Sequence, residues 1–305
     1  MTEATAGTRY RSPRAIAWAR RRASWSSSWG IFRKQRSGIA GVIILAFFIV
    51  VALVSPLIWP ASDLDVSQAT GPILAPPSWA YPLGTDYLGR SVLTLICWGA
   101  RVSLIVGLAA TAISMVIGTL VGIASGHYKG LIGAGLERLT DWFLVIPFLP
   151  LAVVLATILG PTLQNVIVVI GITSWPGTAR IVRAQTLSVG ARPYLERAKA
   201  LGAGDWHQMR RHVLPNVMPL VLANTTLTVA VAILSETTLA FLGLGPSDKV
   251  SWGSILEDVF QNAGISQGAW WWLLPPGLCV VLVVLAFTLV GRALEVVVDP
   301  RMRER

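Results

Sequence analysis

Stretches of about 20 residues without a formal charge recur along this chain, and at about 1.5 Å rise per residue each can cross the ~30 Å hydrocarbon layer as a helix. Nothing constrains the fold more. In lipid a backbone must satisfy its own hydrogen bonds, so runs of this length specify helices. Six candidates follow: 38–57, 102–126, two within the long run 142–179 divided at Gly160-Pro161, 217–239 and 273–291. Trp270, Trp271 and Trp272 precede the last of them, where aromatic residues favour interfacial depth. With 54% hydrophobic and 13% charged residues, the balance lies outside that of soluble domains. The fold class is all-α integral membrane with six transmembrane helices.

The net charge of +10 would suit a nucleic-acid partner only if it formed a patch on a folded soluble surface. Here the basic residues sit between apolar runs, so no nucleic acid is expected. All of the 25 Lys and Arg residues except Arg90, Arg101 and Lys249 fall on one side of the predicted spans. Basic residues are retained in the cytoplasm, so both termini are predicted there, in agreement with an even number of spans. The chain accordingly divides into a basic tail with an interfacial helix (1–37), a first transmembrane helix (38–59) and an extracytoplasmic segment (60–98). A five-helix core (99–294) with a cytoplasmic loop (186–216) and a C-terminal tail (295–305) follow. The tail before Gly30 reads as mostly disordered and membrane-associated, with a short helix over 31–37. No small-residue cleavage site follows the first apolar run, so it is expected to stay as an anchor.

The loop 186–216 is far longer than a connection between two spans requires. Pro193 suits a first helical position, Gly202 a left-handed C-terminal cap and Asp205 an N-cap, predicting two short helices before Pro215 opens the next span. Elsewhere, Gly118, Gly122 and Gly126 lie four apart on one helix face and predict close packing. Pro147, Pro150 and Pro176 predict kinks, with or without a role in a passage. Glu236 is an intramembrane carboxylate and a weak candidate for the translocation pathway, with Arg101 as a possible counter-ion. Asp141 is expected to anchor an interface with Arg138. The histidines and the two cysteines, Cys97 and Cys279, lack ligand spacing, so no metal site is expected. No nucleophile is paired with a base, so no catalytic residues are expected. The chain carries no Gly-x-x-x-x-Gly-Lys-Ser/Thr phosphate loop.

The spacing of Glu196, Ala198, Gly202, His212, Val213, Leu214 and Pro215 resembles the cytoplasmic loop signature of ABC-importer permeases. Leu83-Gly84-Thr85-Asp86-Tyr87-Leu88-Gly89-Arg90, Arg211-His212-Val213-Leu214-Pro215-Asn216, Phe241-Leu242-Gly243-Leu244-Gly245, Trp252-Gly253 and Asp299-Pro300-Arg301 narrow the resemblance. They look like the dipeptide and oligopeptide group, and within it the second, C-type permease. The likeness runs from Gly30 onward. Arg197 departs from the small residue usual in the signature, and Ser91 from the acidic residue frequent after Gly89-Arg90.

The resemblance implies a type I ABC importer permease fold in the cytoplasmic membrane of a prokaryote. Residues 193–204 would dock as a coupling helix on an ATPase subunit, with Glu196, Arg197, Ala198, Leu201, Gly202, Ala203, Gly204 and Asp205 as the contact set. It also implies a second homologous permease, two cytoplasmic ABC ATPase subunits and an extracytoplasmic solute-binding protein. This chain would bind no cofactor, with ATP and magnesium on the ATPase subunits. Di- or oligopeptides are the implied solutes. A secondary transporter, a channel, or an ABC importer for nickel chelates or other small solutes stands as the alternative. A secondary transporter would ordinarily show internal repeats and several intramembrane ionisable residues, and Glu236 alone is too little.

Overall fold

The computed structural model describes residues 29–298, and every described regular element is helical. The expectations for the tail before residue 29 and for Asp299-Pro300-Arg301 lie outside the described residues. The first long helix, α1 (Arg36–Ile58), is two residues longer at its start than the apolar run predicts and one longer at its end. The predicted interfacial helix is only a turn at residues 29–32, separated from α1 by a break at 33–35.

Helix α2 (Val92–His127) is capped by the Ser91 hydroxyl, which accepts from the Thr94 amide. It begins at Val92, ten residues before the apolar window. The reason is tertiary: Val92, Leu95, Ile96 and Ala100 bury against Trp252, Ile255 and Val259, which supply the apolar partners that the sequence window lacks. A β-carbon on Gly118, Gly122 or Gly126 would lie within 2.8 Å of a heavy atom of the facing helix, including the Ala179 carbonyl. The glycine stripe therefore sets the contact between α2 and α5 (Leu163–Gly190).

The predicted third span is broken. Helix α3 (Leu131–Val145) and helix α4 (Phe148–Leu159) meet at 89°. Pro147 supplies no amide to the ladder and its ring clashes with the preceding turn, so the helix stops at this point. By contrast Pro176 stays inside an unbroken α5. Among the described residues five helices are long and apolar enough to cross a membrane, and the bent pair makes a sixth candidate.

After the short α6 (Pro193–Ala200), the chain runs as one rod, α7 (Asp205–Leu244), through the predicted boundary at Pro215. The ladder widens to a π-turn over Met209–Val213 just before Pro215. That widening accommodates the carbonyl that the proline ring would strike and that has no proline N–H to receive. The second predicted short helix is therefore the first turns of the next span. Helix α8 (Trp252–Gln261), with a Ser251–Ser254 capping box, and the long α9 (Trp270–Val298) complete the fold. Trp270 is exposed as an interfacial residue would be, but Trp272 is fully buried and stacks on Tyr87 with ring centroids 5.4 Å apart. Helix α1 joins the bundle through α9, where Gly41 lets the backbones meet: a β-carbon there would lie 2.7 Å from the Ala286 carbonyl.

Candidate functional site

The loop between α5 and α7 is a closed local structure. Arg192 precedes Pro193, whose missing amide costs nothing in the first turn. Helix α6 ends in a Schellman motif: the Gly202 amide donates to the Lys199 carbonyl at 3.0 Å and the Ala203 amide to the Ala198 carbonyl at 3.0 Å. Gly202 sits at φ +84°, where a side chain is strained, although a β-carbon would meet nothing in this chain. Gly204 also faces open space but has an ordinary backbone, φ −66°. The Gln208 side-chain amide, which no sequence motif singled out, is buried and donates to the Ala203 carbonyl at 2.7 Å.

One residue roots this elbow. Leu195 is buried with Met115, Ile123, Val182, Val189, Val213, Val217 and Val221, so α6 packs on the ends of α2, α5 and α7 together. The opposite face is free: Glu196, Arg197, Lys199 and Gly202 are exposed, and Leu201 is 89% exposed. Ala198, Leu201, Gly202, Ala203, Gly204 and His207 surround a shallow concavity of about 400 Å³. Of the sequence-predicted contact set, Ala198, Leu201, Gly202, Ala203 and Gly204 share this concavity, whereas Glu196 and Asp205 line a second cavity beside His127. Asp205 is not the N-cap, which is Gly204; its carboxylate lies 3.1 Å from Nε2 of His127 at the end of α2. A second link between helix ends results.

At the other end of the bundle, Leu83–Arg90 folds into a clamp. The buried Asp86 carboxylate accepts from the Leu88 amide at 2.9 Å, the Arg90 amide at 2.8 Å and Arg90 Nε at 2.7 Å. Arg90 also reaches Asp258 of α8 at 3.4 Å. Burial pushes the Asp258 carboxyl up to about 6, against the Arg90 guanidinium, which holds it down. The Thr85 hydroxyl donates to the Pro72 carbonyl and accepts from the Ala75 amide, and the Trp271 indole donates to the Thr85 carbonyl at 3.2 Å. One octet therefore ties the segment before α2 to α8 and α9. Asp258 was legible only as an unassigned acid.

Glu236 is fully enclosed and reaches no surface of the chain. Ser103 of α2 donates to its Oε2 at 3.0 Å, and the Trp252 amide donates to the same Ser103 oxygen at 3.4 Å. Arg101 is not its counter-ion: that guanidinium is exposed and lies over the Trp98 ring, 5.9 Å from its centroid. Among the described residues Glu236 forms no ion pair, so hydrogen bonding between α2, α7 and α8 is what the position supplies. Glu236→Gln, which keeps the acceptor and the shape, is expected to melt close to the unmodified protein. Glu236→Ala is expected to lose about 2–3 kcal/mol through the cavity and the unpaired serine. Equal melting of the two variants in detergent would refute this.

Asp141, expected beside Arg138, pairs instead with Arg180 of α5 at 3.6 Å, and Glu137 pairs with Arg183 at 2.7 Å. The bend after Val145 lays α3 against α5, bringing residues far apart in sequence together.

These features define a multi-pass α-helical membrane protein with a rigid helical elbow at one end of its bundle. The sequence model of the family described as "Binding-protein-dependent transport system inner membrane component" matches residues 118–304. That of the "N-terminal TM domain of oligopeptide transport permease C" matches residues 24–77. The chain is 36% identical to the dipeptide transport system permease protein DppC of Bacillus subtilis, over 90% of this chain and 85% of that protein. It is 35% identical to the di/tripeptide transport system permease protein DppC of Pseudomonas aeruginosa, over 90% and 91%. With DppC of Haemophilus influenzae the identity is 33%, over 90% and 94%. The chain belongs to the binding-protein-dependent transport system inner membrane component family, the permease subunits of ABC transporters. It is a multi-pass protein of the bacterial cytoplasmic membrane.

Proposed function

We propose that this chain is one of two permease subunits of an ATP-driven importer and forms, with a second homologous permease, the passage for di- or oligopeptides. The peptides are delivered by an extracytoplasmic solute-binding protein. Two cytoplasmic ABC ATPase subunits bind ATP and magnesium and drive the cycle, and both termini of this chain lie on their side of the membrane. The family and the names of the relatives support this reading, as does the charge asymmetry of the loops.

The observation that carries the coupling role is the elbow itself. Its inner face packs through Leu195 into a cluster shared with α2, α5 and α7, its free face exposes Glu196, Arg197 and Leu201, and a four-residue turn at 201–204 joins it to α7. A partner that grips α6 therefore moves α7 with it, because the turn between them is held by the Ala203 amide to the Ala198 carbonyl and by the Gln208 side chain to the Ala203 carbonyl. Glu196, Arg197, Ala198, Leu201, Gly202, Ala203 and Gly204 form the docking surface, and Asp205 holds its flank to α2.

The test is the complete assembly in proteoliposomes. Glu196→Ala and Gly204→Ala are each expected to lower ATP-dependent peptide uptake about tenfold, the effect of losing one well-packed interface contact, with basal ATP hydrolysis retained. Gly204→Ala is the discriminating variant, since a methyl there meets nothing within this chain and strains no backbone. Full uptake in both variants would sink the docking assignment.

A further inference from the structure

We propose that His127 is a positioning residue for coupling: its bond to Asp205 makes α2 a second output of the elbow, and α2 carries that movement to the clamp at the far end of the bundle. The inference rests on the importer reading above, and it brings in a residue outside the docking surface and outside the sequence-predicted contact set.

The bond joins two helix ends of opposite polarity. His127 is the last residue of α2 and Asp205 the first of α7, so the dipole of each helix favours the sign of charge that its own residue can carry. An ionised carboxylate only accepts, so the imidazole holds its proton on Nε2 and donates across the 3.1 Å between them. The donor is fixed in place: the His127 side chain is 9% exposed, and its ring meets Tyr128 edge-on with centroids 5.5 Å apart.

Apolar packing alone would not give this control. Met115 and Ile123 of α2 share the cluster around Leu195 with Val213, Val217 and Val221 of α7, but such contacts have no direction, and packed helices shift past one another by about 1–2 Å. Beside that cluster, the space between α6 and the ends of α2 and α5 is a cavity of about 940 Å³ rather than packed core; Gly126, His127, Thr186 and Gly190 are in its wall. At this open edge the hydrogen bond fixes the axial register of α2 against α7.

What α2 does with the movement follows from its build. It runs for 36 residues, about 54 Å at roughly 1.5 Å per residue, without a proline or a π-turn to absorb bending. At its other end the Val92 amide donates to the Gly84 carbonyl at 3.1 Å, so the Leu83–Arg90 clamp is continuous with the helix. Trp98 and Val102 of α2 line a cavity of about 610 Å³ there, together with Arg90 of the clamp and Glu257 and Asp258 of α8. A shift of α2 along its axis therefore changes that cavity.

The test uses the complete assembly and compares His127→Ala with His127→Gln, whose side-chain amide keeps an N–H donor. In His127→Ala peptide uptake is expected to fall about fivefold, the upper worth of a part-exposed charged contact. ATP hydrolysis should stay within about twofold and the melting midpoint within about 4 °C. His127→Gln is expected to regain most of the uptake. The readout specific to α2 is limited proteolysis between residues 60 and 91, in detergent, without nucleotide and with ATP plus vanadate. The cleavage rate of the unmodified assembly is expected to change with nucleotide, and His127→Ala to lose most of that change. Unchanged uptake in His127→Ala, or a nucleotide-dependent change that survives there or is absent from the unmodified assembly, would overturn the proposal. So would uptake, hydrolysis and melting falling together, which would make the pair a support for folding. An unmodified assembly that takes up no peptide with ATP would instead refute the importer reading; a nucleotide-dependent cleavage that His127→Ala abolishes would support the role of α2 even then.

Discussion

Trp252→Ala is expected to destabilise the protein by about 3–5 kcal/mol and to lower its melting midpoint in detergent by about 10 °C. The indole is fully buried, donates to the Ile96 carbonyl at 3.0 Å and meets Phe48 edge-on at 5.5 Å. It joins α8 to both α1 and α2, so its loss opens a cavity among three elements. The site cannot collapse easily. Gly99 is already so close that a β-carbon there would lie 3.0 Å from the indole, and Gly253 places α8 where a β-carbon would meet the Thr237 carbonyl at 2.6 Å. Trp252→Phe keeps most of the volume and loses the hydrogen bond, for an expected cost of about 1–2 kcal/mol. Thermal unfolding followed by tryptophan fluorescence separates the two variants; indistinguishable midpoints would show that packing at this position matters less than the geometry indicates.

The second large effect is expected at the outer clamp. Asp86→Ala removes the acceptor of two backbone amides and of a guanidinium that is only 10% exposed. Breaking a buried pair from one side costs about 3–5 kcal/mol, because the remaining charge is left without its partner. Arg90 would keep only the longer contact to Asp258. Removing both partners, in Asp86→Ala/Arg90→Met, is expected to recover part of the loss, whereas independent contributions would simply add. The measurement is limited proteolysis of the outer segment alongside melting. Faster cleavage between residues 60 and 91 in Asp86→Ala, reversed in the double variant, is the expected pattern. Additive losses would mean that the two side chains do not act as a pair.

Both predictions concern residues that belong to family-like motifs. Leu83–Arg90 and Trp252-Gly253 were legible in the sequence as resemblance, but their mechanical roles were not. In the structure the first ties the outer segment to α8 and α9, and the second sets the distance between α8 and its neighbours. The elbow was the opposite case. Pro193 at the helix start and Gly202 at its end act through the backbone within a few residues, so local chemistry predicted them. Asp205 failed as a cap for the same reason in reverse: a distant side chain, His127, takes its carboxylate.

The sequence alone determined the helical class, the places of the apolar helices, the packing face of Gly118, Gly122 and Gly126, and the helix ends of the elbow. Those features depend on chain length against membrane thickness, on the absence of backbone partners in lipid, and on capping over a few residues. The kink in the third span was legible too, from Pro147, whereas only the tertiary structure decided that Glu236 answers to Ser103 and not Arg101, and that Trp272 is buried. It alone also paired Arg180 with Asp141. Each of these is settled by a residue tens of positions away, and a helix can present its side chains correctly without specifying which neighbour will meet them.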